Sequence, residues 1–281
     1  MKTAETSSAT PIALAQTIAD RYAAIAEVEA VALGGSRTSD FADERSDVDL
    51  YIYVSAMPTL EQRANAATGA RKAEIGNSFW EPGDEWIDAD SGISVDVMFR
   101  TTPWIEELLD RVLRRHEPSM GYSTCFWYNL RNSRPLFDRV GWFSAIQQKS
   151  QQPYPKELKR AIIAKNYLIL RKNQSSYLHQ IELAIRRHDA VSVNHRVTAL
   201  LASYFDIVFA VNEQPHPGEK RLVKFAQALC AKLPPLMEED VNGVLTVVSS
   251  DKLRKITALL DGLDELLRQE DLVPGKALQT S

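Results

Sequence analysis

Cysteine is almost missing from this chain: two residues, Cys125 and Cys230, in 281. That is too few, too far apart, for a disulfide scaffold or a zinc cluster, and it points to a reducing compartment. The amino-terminal stretch Met1 to Ala9 lacks the charged and apolar blocks of a signal peptide, and no apolar run approaches the length of a membrane span. A cytoplasmic location is therefore expected. A basic excess is missing too, with 33 Lys and Arg against 37 Asp and Glu, a net charge of −4 and a pI near 5.8. A long nucleic-acid track normally leaves a basic stripe on its domain, so that class is disfavoured. Of the five histidines, His195 and His216 have no metal-ligand companions at helical or hairpin spacing. No internal repeat is evident. What is present is ordinary globular usage, 44% hydrophobic and 25% charged, enough for one large domain or two modest ones.

Against that background residues 34–49 stand out, Gly-Gly-Ser-Arg-Thr-Ser-Asp-Phe-Ala-Asp-Glu-Arg-Ser-Asp-Val-Asp. The run Ser46 to Val54 alternates and is rich in the β-branched and aromatic residues that suit a strand. Side chains at i and i+2 share a face, so Asp47 and Asp49 project together, their α-carbons roughly 6.5 Å apart. Val48, Leu50 and Ile52 face the other way, into a core. Carboxylates that close repel unless a cation lies between them, and hard oxygen ligands favour Mg2+ or Mn2+. Upstream, Ala30 to Leu33 reads as a short buried strand ending at Gly34-Gly35, where backbone can approach a ligand and take positive φ. Ser36 adds a hydroxyl and backbone N–H groups suited to phosphate, and Arg37 is a further phosphate candidate. A Gly-Gly-Ser turn or an Asp-x-Asp pair alone is common; joined at this spacing, with apolar strands on both flanks, they form a specific signal.

This segment resembles the signature of the DNA polymerase β-like nucleotidyltransferases: Gly35-Ser36, ten intervening residues, then Asp47-Val48-Asp49-Leu50. In that superfamily a third carboxylate comes from a later strand, and Asp96, the single acid in Ile93-Ser94-Val95-Asp96-Val97-Met98-Phe99, matches it. The resemblance implies two-metal transfer of a nucleoside monophosphate, expected to be AMP from ATP with another nucleoside triphosphate as the alternative, with Asp47 and Asp49 bridging two Mg2+ ions and Asp96 completing the site near the acceptor. It also implies an acid that takes the acceptor's proton: Asp96 is the first choice and Glu85 the second. For Asp84 and Glu85 a solvated hairpin is an equally good reading.

Along the chain, Thr10-Pro11 predicts a helix cap and start, with Ile12, Ala15, Ile18, Tyr22 and Ile25 on the apolar face. A polar, Ala-rich helix is expected over 59–73, strand material at Phe79-Trp80 and Glu85–Asp88, and a turn at 89–92 into the Asp96 strand. The five tryptophans are expected to pack the core or a domain seam. Beyond Arg100 the period is helical, with helices expected near 103–116, 119–131, 155–171, 174–188, 191–212, 219–232, 236–248 and 251–269. The fold class is α+β: a nucleotidyltransferase core of mixed sheet with helices on one face, over residues 1–150, then an all-α domain over 151–281. The second part also resembles the helical half of small nucleotidyltransferases related to lincosamide and aminoglycoside enzymes, through Phe209-Ala210-Val211-Asn212 and Pro217-Gly218-Glu219-Lys220-Arg221. Lys220, near a helix start, is a candidate for the nucleotide triphosphate, with Arg221 behind it.

These readings converge on an enzyme that moves a nucleoside monophosphate to a hydroxyl of a small acceptor, an antibiotic being one use, with pyrophosphate released. Nucleic acid and membrane are not among the expected partners. Two alternatives come from other classes. One is an antitoxin that adenylylates a toxin protein; such proteins are usually shorter, and the Arg-to-His spacing their partners carry occurs here at Arg111 and His116, inside an expected helix. The other is a nucleotide-binding regulator without chemistry, against which three intact carboxylates argue.

Overall fold

The computed structural model describes residues 10–35, 47–247 and 249–274. In chain order the elements are helix α1 (Pro11–Ala23), strands β1 (Val28–Leu33) and β2 (Val48–Val54), α2 (Leu60–Ala66), β3 (Ala70–Asn77), β4 (Gly83–Asp88) and β5 (Ser94–Thr101). Then come α3 (Thr102–Leu113), α4 (Cys125–Asn132), β6 (Arg134–Asp138) and α5 (Trp142–Ser150). The rest is helical: α6 (Lys156–Tyr167), a π-helical turn Leu168–Lys172, α7 (Tyr177–Arg186), α8 (Ala190–Val211), α9 (Leu222–Leu229), α10 (Met237–Thr246) and α11 (Ser249–Gln269). The chain divides into two compact units, one of residues 1–109 with 129–152 and one of residues 110–128 with 153–281. This is the α+β class expected, a mixed sheet followed by a helical region. Among the described residues no helix is long and apolar enough to cross a membrane.

In the first unit six strands run in the order β3-β4-β5-β2-β1-β6. β2 and β5 are parallel and every other pair is antiparallel. α1 starts where the cap predicts: the Thr10 hydroxyl accepts from the Ala13 N–H, with Pro11 at the first helical position. Its apolar stripe, Leu14, Ile18 and Tyr22, packs with Ala66 and Ala67 on Val48, Leu50 and Ile52 of β2 and Val95 and Val97 of β5. On the opposite sheet face Trp142 and Phe143 of α5 lie 5.4 and 5.3 Å from the Tyr53 ring. β6 is not legible in the sequence because Pro135 speaks against a strand interior, and α5 is not because its polar end, Gln147 to Ser150, reads as a domain boundary. Pro135 is tolerated here because β6 is the sheet edge.

Two local readings are corrected. The helix expected over 59–73 stops at Ala66, and Arg71, Lys72 and Ala73 lie in edge strand β3. Gly69 (φ +87°) turns the chain, and Lys72 (φ +51°) falls where the β3–β4 register shifts. Phe79 and Trp80 are not strand residues but a turn, 78% and 96% exposed, so Trp80 is no core residue. Trp86 and Trp127 are buried, whereas Trp104 is also exposed.

The second unit is built on α8, whose run Ala202 to Val211 is buried throughout. At its centre Asp206 is 1% exposed. Its carboxylate accepts from the Ser123 N–H at 3.0 Å, the Ser123 hydroxyl at 2.6 Å and the Asn166 amide at 3.1 Å. Asn166 in turn accepts from the Gly121 N–H at 2.9 Å, so one buried acid ties the 119–124 loop to α6 and α8. Burial outweighs these donors and pushes Asp206 up to about 7. A folded-state value above the unfolded one of 3.8 means that Asp206 contributes stability below that unfolded value and loses it as pH rises through about 7. Compared with Asp206→Asn, wild type is therefore expected to gain up to about 4 kcal/mol as pH falls from 8 to 4. Urea unfolding of both at the two pH values checks this; a constant difference contradicts it.

His216, 0% exposed, sits 5.0 Å from both the Tyr122 and Phe209 rings. Its Nδ1 accepts from the Gly218 N–H, and burial pushes it down to about 3. It is a neutral structural histidine. His195 is exposed on α8.

Candidate active site

β1 and β2 meet at the glycine turn. The Gly34 N–H donates to the Asp49 carbonyl at 2.9 Å, prolonging the ladder by one bond. Gly35 then takes φ +66°, and its backbone lies against the Asp49 side chain: a Cβ placed there would be 1.7 Å from Oδ2. At Gly34 a Cβ would meet the Tyr51 ring at 2.3 Å. At either position a side chain would have to displace its neighbour, and Gly35 also takes the left-handed conformation that glycine adopts freely. Ser36 and Arg37 lie outside the described residues.

Asp49 and Asp96 are register partners on the parallel strands β2 and β5. Paired positions leave a sheet on the same side, so the two carboxylates stand side by side, both half-buried. Neighbouring strands lie about 4.8 Å apart, and two full charges at that spacing repel by roughly 3–4 kcal/mol at a surface dielectric. Asp47 is exposed and lies immediately before β2. Glu85 of β4 pairs with Asp96 on its other side, and Glu74 of β3 pairs with Glu85. The result is a row of four acids, Glu74, Glu85, Asp96 and Asp49, across four adjacent strands of one sheet face. Glu74 and Glu85 are exposed. Glu74 had no signal in the sequence, because only the pairing of β3 places it beside Glu85.

The donor set fits a hard divalent cation in chemistry, being all carboxylate oxygen, with the Gly35 backbone closing over Asp49. Among the described residues no group of three or more His, Cys, Asp or Glu side chains forms a ready-made metal cage. A Mg2+ ion commonly takes only one or two protein carboxylates and completes its octahedron with water and phosphate, and the Asp49–Asp96 pair answers to that requirement.

Asp84, adjacent to Glu85, proves to be the opposite of a solvated hairpin acid. It is 0% exposed, on the core side of β4. Arg63 of α2 reaches it with Nη2 at 2.7 Å and Nε at 3.0 Å, the Gly76 N–H donates at 2.7 Å, and the Tyr22 hydroxyl at 3.3 Å. Arg63 also donates to the Gly83 carbonyl at 2.7 Å and lies 4.3 Å over the Phe99 ring. This buried pair pins α1, α2, β3 and β4 together behind the acid row.

The other named residues belong to the second unit. Lys220 is exposed in a turn two residues before α9, not inside a helix from 219. Arg221 is the N-cap of that helix, with φ +57°. Arg111 donates to the Ser119 hydroxyl at 3.3 Å, and His116 lies past the end of α3 in left-handed backbone, so the two do not share a helix. Cys125 is half-buried and Cys230 buried, with no disulfide among the described residues.

No protein-family model matches the chain, and no curated protein does. Among solved structures, a nucleotidyltransferase-like protein from Exiguobacterium sibiricum 255-15 is similar at 13% identity over 92% of this chain and 74% of that one, with a TM-score of 0.42.

Proposed function

We propose that this chain is a metal-dependent nucleotidyltransferase that moves a nucleoside monophosphate, AMP from ATP in the first instance, to a hydroxyl of a small acceptor. The observation that carries the reading is the pairing of Asp49 with Asp96 on adjacent parallel strands, beside a glycine turn whose backbone packs against the Asp49 side chain. Asp49 and Asp96 would hold Mg2+ or Mn2+, with Asp47 as a third ligand at the mouth of the strand. When bound, such ions lower the pKa of the acceptor hydroxyl and neutralise charge on the leaving pyrophosphate.

The chain's own groups supply the rest. The Gly34-Gly35 backbone approaches the triphosphate closely and orients it, with Ser36 and Arg37 as further phosphate contacts. The acceptor oxygen forms a bond to the α-phosphorus as the α–β phosphoanhydride bond breaks. The hydroxyl proton passes to Asp96 or, one strand over, to Glu85. An acceptor that carries positive charge is favoured, because Glu85 and Glu74 continue the acid row outward and the net charge is −4. An aminoglycoside is one compound of that kind. The scarcity of cysteine suits work in a reducing cytoplasm.

The test is release of pyrophosphate from each nucleoside triphosphate, with and without Mg2+, across a panel of cationic and neutral hydroxyl compounds. Asp49→Asn and Asp96→Asn are each expected to lower turnover roughly a hundredfold or more, the scale on which a metal site fails when its carboxylates are disturbed. Unchanged turnover in both variants would sink the proposed site.

A further inference from the structure

Behind the glycine turn lies a second layer of side chains that the chemistry above does not use. Tyr51 follows Asp49 on the same face of β2, and its ring occupies the place of the missing Gly34 side chain, 2.3 Å from where that Cβ would be. On the ring lies the Arg100 guanidinium, 4.0 Å from its centroid. Arg100, 3% exposed, is held by Glu81 through two bonds, Nε to Oε2 at 2.8 Å and Nη2 to Oε1 at 2.9 Å. Glu81 sits in the β3–β4 turn, which the Phe99 N–H fastens to β5 by donating to the Pro82 carbonyl at 2.8 Å. Contacts therefore run without a gap from Glu81 through Arg100 and Tyr51 to Gly34, and from the next residue, Gly35, to the Asp49 carboxylate.

We infer that Tyr51, clamped between Arg100 and the Gly34 backbone, is a positioning residue that sets the seat of the Gly34-Gly35 turn on Asp49 and thereby the affinity for the nucleoside triphosphate. Each link is rigid for a physical reason. The guanidinium is planar and held on both nitrogens by one carboxylate, so it presents a fixed plane to the ring. The cation–π contact is desolvated, the setting in which it is strongest. Tyr51 is 6% exposed and has two side-chain torsions, both bounded by packing. A flat ring fits against a glycine backbone where a branched aliphatic chain leaves a gap, into which the turn can sink away from Asp49.

This inference rests on the reading of the turn as the triphosphate site, and the experiment separates the two. ATP affinity is measured by calorimetry without acceptor, alongside KM and kcat, for wild type, Tyr51→Phe, Tyr51→Leu and the double variant Arg100→Met with Glu81→Met. Tyr51→Phe keeps the plane and is expected to bind within about twofold of wild type. Tyr51→Leu is expected to weaken binding and raise KM tenfold or more, with a smaller change in kcat, the mark of a lost ground-state contact. The double variant removes the clamp while leaving no buried charge, and it is expected to fall between them; it also serves if Tyr51→Leu does not fold. Equal affinities in wild type, Tyr51→Leu and the double variant overturn the inference while leaving the nucleotidyltransferase reading intact. A wild-type protein that binds no nucleotide removes both.

Discussion

Asp84→Ala is expected to cost the first unit about 3–5 kcal/mol, the range measured when one partner of a buried ion pair is removed. The reason is what stays behind. Arg63 is 5% exposed, and without Asp84 it keeps the Gly83 carbonyl and the Phe99 face but no opposite charge among the contacts described above. The Gly76 N–H and the Tyr22 hydroxyl lose their acceptor at the same time. Whole domains are stable by about 5–15 kcal/mol, so a third or more of the margin is at stake. The paired change Arg63→Met with Asp84→Val should be much milder, because it leaves neither charge buried. Urea unfolding of the three proteins decides it: a single variant within about 1 kcal/mol of wild type contradicts this account of the pair.

Gly35→Ala is expected to lower turnover about a hundredfold while costing the fold little. A Cβ at Gly35 would stand 1.7 Å from the Asp49 Oδ2, so either the turn lifts or the carboxylate rotates. Either movement exceeds the roughly 1 Å misplacement that suffices for losses of that order. Left-handed backbone alone costs an alanine about 1 kcal/mol, and Gly69→Ala isolates that part. Gly69 has φ +87° with nothing within 4 Å of an added Cβ, so its variant should lose a similar stability and keep its activity. Equal activity losses in the two variants would mean that backbone strain, not the Asp49 contact, governs position 35.

The parts of the site that share one strand were readable from residue order alone. Alternation marked Asp49 on β2, although Asp47 falls just before the strand rather than in it, and the lone acid in an apolar run marked Asp96. The sequence left their distance open, and the parallel register of β2 with β5 supplies it. What could not be read depends on pairing across long separations or on context that inverts a residue's usual preference. Asp84 looks like a surface acid until Arg63, 21 positions earlier and on a helix, is found against it. The first half of β3, Ala70 to Ala73, reads as the end of a helix because Ala and charged residues dominate an edge strand whose middle is exposed on both faces. β6 carries a proline and joins β1 from a hundred positions away, between Ala30 and Asp138. Tyr51 reads as a strand aromatic, and only the absent side chain of Gly34 gives it a further role. The helices beyond Arg100 follow their apolar period unevenly: α8 and α11 fall within two residues of expectation at each end, but the helix expected over 119–131 begins only at Cys125, and that expected over 219–232 spans Leu222–Leu229.

The measurement that bears most directly on the whole account follows where the phosphorus goes. The wild-type protein is incubated with Mg2+, an acceptor panel and ATP labelled either at the α or at the γ phosphate. The account predicts the α label joined to the acceptor and the γ label released as pyrophosphate, both lost in Asp49→Asn. A γ label on the acceptor, or orthophosphate released with the α label retained in ADP, would contradict nucleotidyl transfer at the Asp49–Asp96 pair.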